Sequence, residues 1–161
     1  MAKAQGIWLS QKYRVQSGLN VSSGILFNHE SHLRGNSFFT TRLIRGAIEV
    51  ARDEVSSVAL GNLDSRADWG HAEDFVEAFQ EIVRLQKPDD FVVATGETRS
   101  VRDFVQVVFE YFGLGWEEHL QVDRSLVGDS RNIEEAKPAK ILGSTAWRPR
   151  QDFEHFVHRL I

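Results

Sequence analysis

Short apolar runs alternate with longer amphipathic segments along most of these 161 residues, and that rhythm restricts the chain to an α/β fold. Val21–Phe27, Val55–Leu60 and Phe91–Thr95 are too short for buried helices and are closed by Asn28, Gly61 and Gly96, so each reads as a strand. Between them lie helical patterns. Ala2–Ser17 places Trp8, Leu9, Tyr13 and Val15 at helical spacing, opens without a capping side chain and stops at Gly18. Ser37–Arg52 carries the stripe Phe39, Leu43, Ala47, Val50. His71–Gln86 carries Phe75, Phe79, Ile82 and Val83, with Asp68 as its expected cap. Ser100-Val-Arg-Asp103 has the form of a capping box and opens a helix through Phe112, stopped by Gly113 and Gly115. Towards the end, Trp116–Val122 reads as a last strand and Asp123–Glu134 as a loop. Glu135–Leu142 reads as a short helix with Pro138 in its first turn, and Gln151–Ile161 as a terminal helix.

What the chain lacks narrows its chemistry. It has no cysteine, which excludes disulfide scaffolds and thiolate zinc sites. Its net charge of −4 gives no broad footprint for nucleic acid. Lys3 is followed by no apolar core of signal-peptide length, and no run approaches membrane-spanning length. The carboxylates and histidines show no metal-ligand spacing, no Ser-His-Asp or Cys-His order is legible, and no glycine-rich phosphate loop follows a strand.

The most informative stretch is Gly24–Gly35, Gly-Ile-Leu-Phe-Asn-His-Glu-Ser-His-Leu-Arg-Gly. It opens as a buried strand and passes at Asn28 into a polar loop, the position where ligands bind in open α/β sheets. Read from spacing alone, such a loop equally well caps the next helix. Gly24–Ser31 with Arg34-Gly35 resembles the corresponding loop of the GDP-mannose 4,6-dehydratases, extended short-chain dehydrogenase/reductases. The likeness continues in Leu60-Gly-Asn-Leu-Asp, Asp68-Trp-Gly-His-Ala-Glu-Asp-Phe-Val-Glu-Ala, Pro88-Asp-Asp-Phe-Val-Val-Ala-Thr-Gly-Glu and Ser100-Val-Arg-Asp-Phe-Val. It covers most of the chain from about Ala2 to Gly115.

The resemblance implies a fold and a set of site residues. The chain would be the C-terminal part of a Rossmann-type enzyme with its smaller nucleotide-sugar-binding domain. Residues 1–27 would be the tail of the NADP-binding domain. Residues 28–161 would be mostly substrate region, with one or two segments returning to the Rossmann sheet. Ala2-Lys3-Ala4-Gln5 is similar to the end of the family's Tyr-x-x-x-Lys motif, which makes Lys3 its lysine. The tyrosine falls four residues earlier, ahead of this sequence, as do the catalytic Thr and Glu and the glycine-rich loop. His29 and Arg34 match NADP-contacting positions, and a guanidinium suits a phosphate by charge and geometry. Asn28 matches a substrate-contacting position, as does Arg42. Arg66 stands beside Ala67, where the family has a phosphate-binding arginine. Arg131 and Glu134 match the family's Arg-x-x-Glu, phosphate and ribose contacts. Read without the resemblance, Lys3 is a solvated lysine, Arg34 a loop arginine and His29 a histidine bonded within its own loop. Two departures stand out: His32-Leu33 replaces the usual Pro-Arg, and one extra residue sits between Gly35 and Arg42.

The implied reaction converts GDP-mannose to GDP-4-keto-6-deoxymannose, a GDP-fucose precursor. Hydride leaves C4 and returns to C6, with water lost across C5 and C6, in a cytoplasmic enzyme without metal. The 161 residues alone are expected to be inactive. Two other readings stand beside this one: a non-catalytic module that binds a nucleotide sugar or associates with itself or a complete dehydratase subunit, and a related nucleotide-sugar epimerase or reductase.

Overall fold

The computed structural model describes residues 1–126 and 135–161. The described elements run α1 (Ala2–Ser17), β1 (Ser23–Leu26), β2 (Asn28–Glu30), α2 (Phe39–Ala51), β3 (Val58–Leu60), β4 (Arg66–His71), α3 (Ala72–Arg84) and β5 (Asp90–Val93). They continue with β6 (Thr98–Ser100), α4 (Val101–Tyr111), α5 (Trp116–His119), β7 (Leu120–Val122), α6 (Ala139–Ser144) and α7 (Phe153–His158). The strands form three small groups. β1 pairs parallel with β5, β3 pairs parallel with β7, and β4 lies between parallel β2 and antiparallel β6. The α/β expectation holds, with parallel pairing predominant.

The helices form where their apolar faces find a partner. α2 buries Leu43, Ile44, Ala47 and Val50, and Gly46 lets it approach β3: a Cβ there would come 2.6 Å from Val58 Cγ2. α4 opens on the expected capping box. Ser100 Oγ accepts from the Asp103 N–H at 3.1 Å, and Asp103 Oδ2 accepts from the Ser100 N–H at 2.8 Å. It ends before Gly113, whose φ of 70° only glycine adopts without strain.

Two hydrophobic clusters result. The larger joins α2, β3, β4, α4 and α7 around Phe104, which meets Phe39, Trp69, Phe153 and Phe156 edge-on, with ring centroids 5.6–6.1 Å apart. The smaller sets Phe75 and Ile82 of α3 against Phe91 and Val93 of β5, with Ile141 and Trp147.

α1 differs from the other long helices: none of its residues is buried, and Trp8, Leu9, Tyr13 and Val15 all face outward. Arg14 tethers it, donating to Asp90 Oδ1 at 2.7 Å and to the Val21 carbonyl at 2.9 Å. It opens without a side-chain cap and closes on left-handed Gly18, as expected.

The structure departs from expectation at five places. Asn28–Glu30 is a strand, not loop, because it pairs with β4. Asp68 sits inside β4 rather than capping α3, and His71 is the cap. Thr98 and Arg99, in the stretch that begins at Gly96 and was not expected as a strand, pair with β4 together with Ser100, which also caps α4 as expected. Trp116–His119 is helical and only Leu120–Val122 is strand, because Glu117 and Glu118 suit a helix N-terminus better than an alternating strand. α6 starts at Ala139, with Pro138 just ahead of it rather than inside its first turn.

Candidate functional site

Two of the sequence strings singled out above become neighbouring strands. Asn28 pairs with Trp69, His29 with Gly70 and Glu30 with His71, in parallel register. At Phe27 the chain leaves β5, its N–H donating to the Val93 carbonyl at 3.1 Å, and joins β4 at the next residue. The carboxyl ends of β2 and β4 therefore lie side by side, followed by the Ser31–Gly35 turn and the start of α3. Such strand ends are where α/β sheets hold ligands.

The pair is anchored by buried polar groups. Asp68 is fully buried. Its two carboxylate oxygens accept the Thr95 N–H at 2.9 Å and the Gly96 N–H at 2.7 Å, fixing the loop after β5. Burial nonetheless outweighs these bonds and pushes the Asp68 carboxyl above the usual range. Glu30 is also buried. One of its oxygens accepts from the Thr40 hydroxyl at 3.0 Å and lies 3.2 Å from Arg34 Nε, and burial again raises its pKa against both partners.

His71 is the third such group. Its Nδ1 accepts the Glu73 N–H at 3.3 Å, so the ring caps α3 only while that nitrogen is unprotonated. Burial lowers its pKa, and so does Arg159; Glu73 and Asp74 oppose the shift, and His32 adds to it. A histidine with a folded pKa below its unfolded value of about 6.5 loses stability as pH falls through that value. Lowering the pH from about 7 to about 5.5 is expected to lower stability through this cap, by no more than the roughly 1 kcal/mol that such a cap contributes. In His71→Asn, which caps without titrating, the difference between wild-type and variant denaturation midpoints at the two pH values measures that step.

The expected site residues fall into distinct places. Asn28 is exposed at the start of β2. His29 stacks on Phe75 at 5.2 Å and donates from Nδ1 to the Phe27 carbonyl at 2.9 Å, leaving Nε2 as an acceptor. Arg34 stands at the mouth of the turn, its guanidinium 3.7 Å over the Phe38 ring. Arg42 lies apart from these, exposed on α2. With Asn36, Arg45, Glu49 and Ser57 it lines an open cavity of about 360 Å³ between α2 and β3. Arg66 begins β4 and donates to the Thr98 carbonyl at 3.0 Å. Strand alternation puts its side chain on the opposite face from Ala67, whose cross-strand partner is Arg99. Lys3 is exposed in the first turn of α1. Arg131 and Glu134 lie outside the described residues. Among the described residues no cluster of His, Asp and Glu could hold a metal, and no helix is long and apolar enough to cross a membrane. Sequence reasoning missed the buried roles of Glu30, Asp68 and His71. The unbroken string Asp68-Trp-Gly-His was the signal that this segment is held from both sides.

A family profile described as GDP-mannose 4,6 dehydratase matches residues 1–160. GDP-mannose 4,6 dehydratase 1 of Arabidopsis thaliana is 36% identical over 164 residues, covering 99% of this chain and 45% of that protein. The Homo sapiens enzyme of the same name is 33% identical over 178 residues, covering 99% and 48%. The chain thus spans about half the length of these curated relatives. In fold it is similar to RMD from Pseudomonas aeruginosa complexed with NADPH, at TM-score 0.86 and 15% identity, covering 99% of this chain and 52% of that one. It is also similar to dTDP-glucose 4,6-dehydratase from Bacillus anthracis in complex with NAD, at TM-score 0.82 and 15% identity, covering 99% and 49%.

Proposed function

The chain belongs to the GDP-mannose 4,6 dehydratase family, and from that premise we propose that it supplies the sugar-nucleotide half of such a dehydratase. The observation that carries the reading is the match across residues 1–160, with the two motif strings paired as β2 and β4. The proposed substrate is GDP-mannose and the product GDP-4-keto-6-deoxymannose, in a cytoplasmic route to GDP-fucose. The proposed cofactor is NADP; bound, it would take up and return hydride. Its fit to this chain is partial: Arg34 offers a guanidinium for a phosphate and His29 a free ring acceptor. The tyrosine that pairs with Lys3 in the family, and the glycine-rich loop, lie outside this sequence. Residues 1–27 fit the tail of the cofactor domain, and β1 and β5 the segments that belong to its sheet.

Arg42, in the cavity beside α2, is assigned to the nucleotide's phosphates, together with Arg66 and Arg131; Glu134 is assigned to a ribose hydroxyl and Asn28 to the sugar. Calorimetric titration of the chain with GDP tests this. Arg42→Ala is expected to weaken binding about tenfold. Equal affinity would remove Arg42 from the site, and no binding by the wild-type chain would remove the claim that these residues bind the nucleotide unaided.

A second reading, an interaction module for another copy or a complete subunit, is favoured by one observation: α1 presents Trp8, Leu9, Tyr13 and Val15 outward with nothing buried beneath them.

A further inference from the structure

The turn after β2 holds an arginine whose base is fixed and whose tip is open. Glu30, the last residue of β2, has a side chain only 7% exposed, whereas that of Arg34 is 31% exposed: the acid is inside and the guanidinium reaches out. Nε of Arg34 lies 3.2 Å from Glu30 Oε2. That nitrogen is buried and its alignment falls short of a hydrogen bond, so the contact is an ion pair. The same Glu30 oxygen accepts from Thr40, itself buried at the start of α2, so the carboxylate is fastened to a helix as well as to a strand. On its other side the guanidinium lies 3.7 Å over the ring of Phe38. Among the described residues neither terminal nitrogen of Arg34 makes a hydrogen bond or ion pair.

We propose that Glu30 is a positioning residue: it holds the Nε side of Arg34 so that the two terminal nitrogens are presented together to a phosphoryl group. This rests on the reading of Arg34 as a phosphate contact of the nicotinamide nucleotide, and adds to it the residue that aims the fork. A flexible arginine loses rotamer freedom when it grips an anion; one already pinned at Nε loses less. Against this, a carboxylate beside the guanidinium repels an incoming anion. The two effects have opposite signs in Glu30→Gln, which keeps an acceptor for Thr40 and removes the charge.

The experiment uses the full chain, ¹⁵N-labelled, and inorganic pyrophosphate as the probe. In the free protein, Nε relaxation of Arg34 is expected to report a side chain as ordered as the backbone, and Glu30→Gln is expected to release it. A freely moving Arg34 in the wild type overturns the proposal without any variant. On titration, Arg34 resonances are expected to move, with affinity roughly tenfold weaker in Glu30→Gln and an unchanged melting temperature. Equal or tighter binding by Glu30→Gln overturns the positioning role and leaves Arg34 as an anion contact. No response of wild-type Arg34 overturns both the positioning role and the phosphate contact, and leaves family membership untouched.

Discussion

Purified by itself and supplied with NADP and GDP-mannose, the 161-residue chain is expected to release no 4-keto-6-deoxy product. The reason is chemical. The resemblance places the acid–base Thr, Glu and Tyr in the part of the relatives that this chain does not span, and a positioned acid or base contributes about 10²–10⁴-fold each. Holding cofactor and sugar in register contributes more still, and no glycine-rich loop is present to seat a pyrophosphate. Co-expression with the dinucleotide-binding half of a relative, such as the Arabidopsis thaliana enzyme, is expected to restore product. Reversed-phase separation of the sugar nucleotides reads both results. Product from the chain alone would overturn the assignment of catalysis to the other half.

The largest loss of stability from a single substitution is expected at Phe104. Its side chain is fully buried, and four aromatic rings from α2, β4 and α7 meet it edge-on. Phe104→Ala removes the shared wall of that cluster, and Trp69, pinned in β4, cannot follow it into the space. The cost of such a truncation is about 3–5 kcal/mol, against a typical domain stability of roughly 5–15 kcal/mol. A fall in melting temperature on the order of 10 °C follows. Thermal denaturation followed by near-ultraviolet circular dichroism checks it. A shift of a degree or two would mean that α7 collapses onto α4 without strain.

The parts of this fold that were legible in the sequence are those decided within one turn of chain. The Ser100–Asp103 box, the α2 stripe and the Gly18 and Gly113 stops depend on neighbours a few residues away, and all appear as read. Asn28–Glu30, Arg66–His71 and Thr98–Ser100 were not read as strands. Asn, Asp, Gly and His have little strand preference, and only the pairing of the three segments with one another makes them strands. Val83 sits at an apolar position of the helical pattern yet is 75% exposed, because β5 covers only the Phe75–Ile82 side of α3. The candidate site divides in the same way. The motif strings located Asn28, His29 and Arg34, whereas the buried duties of Glu30 and His71 arise from tertiary neighbours that no spacing reveals.

The strand pairing also governs how the chain finds its structure. Ser23 meets Asp90, Val58 meets Leu120 and Asn28 meets Trp69; among the described residues no two consecutive strands form a hairpin. Each pairing must close a long loop before any contact rewards it, and such topologies fold slowly. During synthesis the β1–β5 pairing can form only after Asp90–Val93 has emerged.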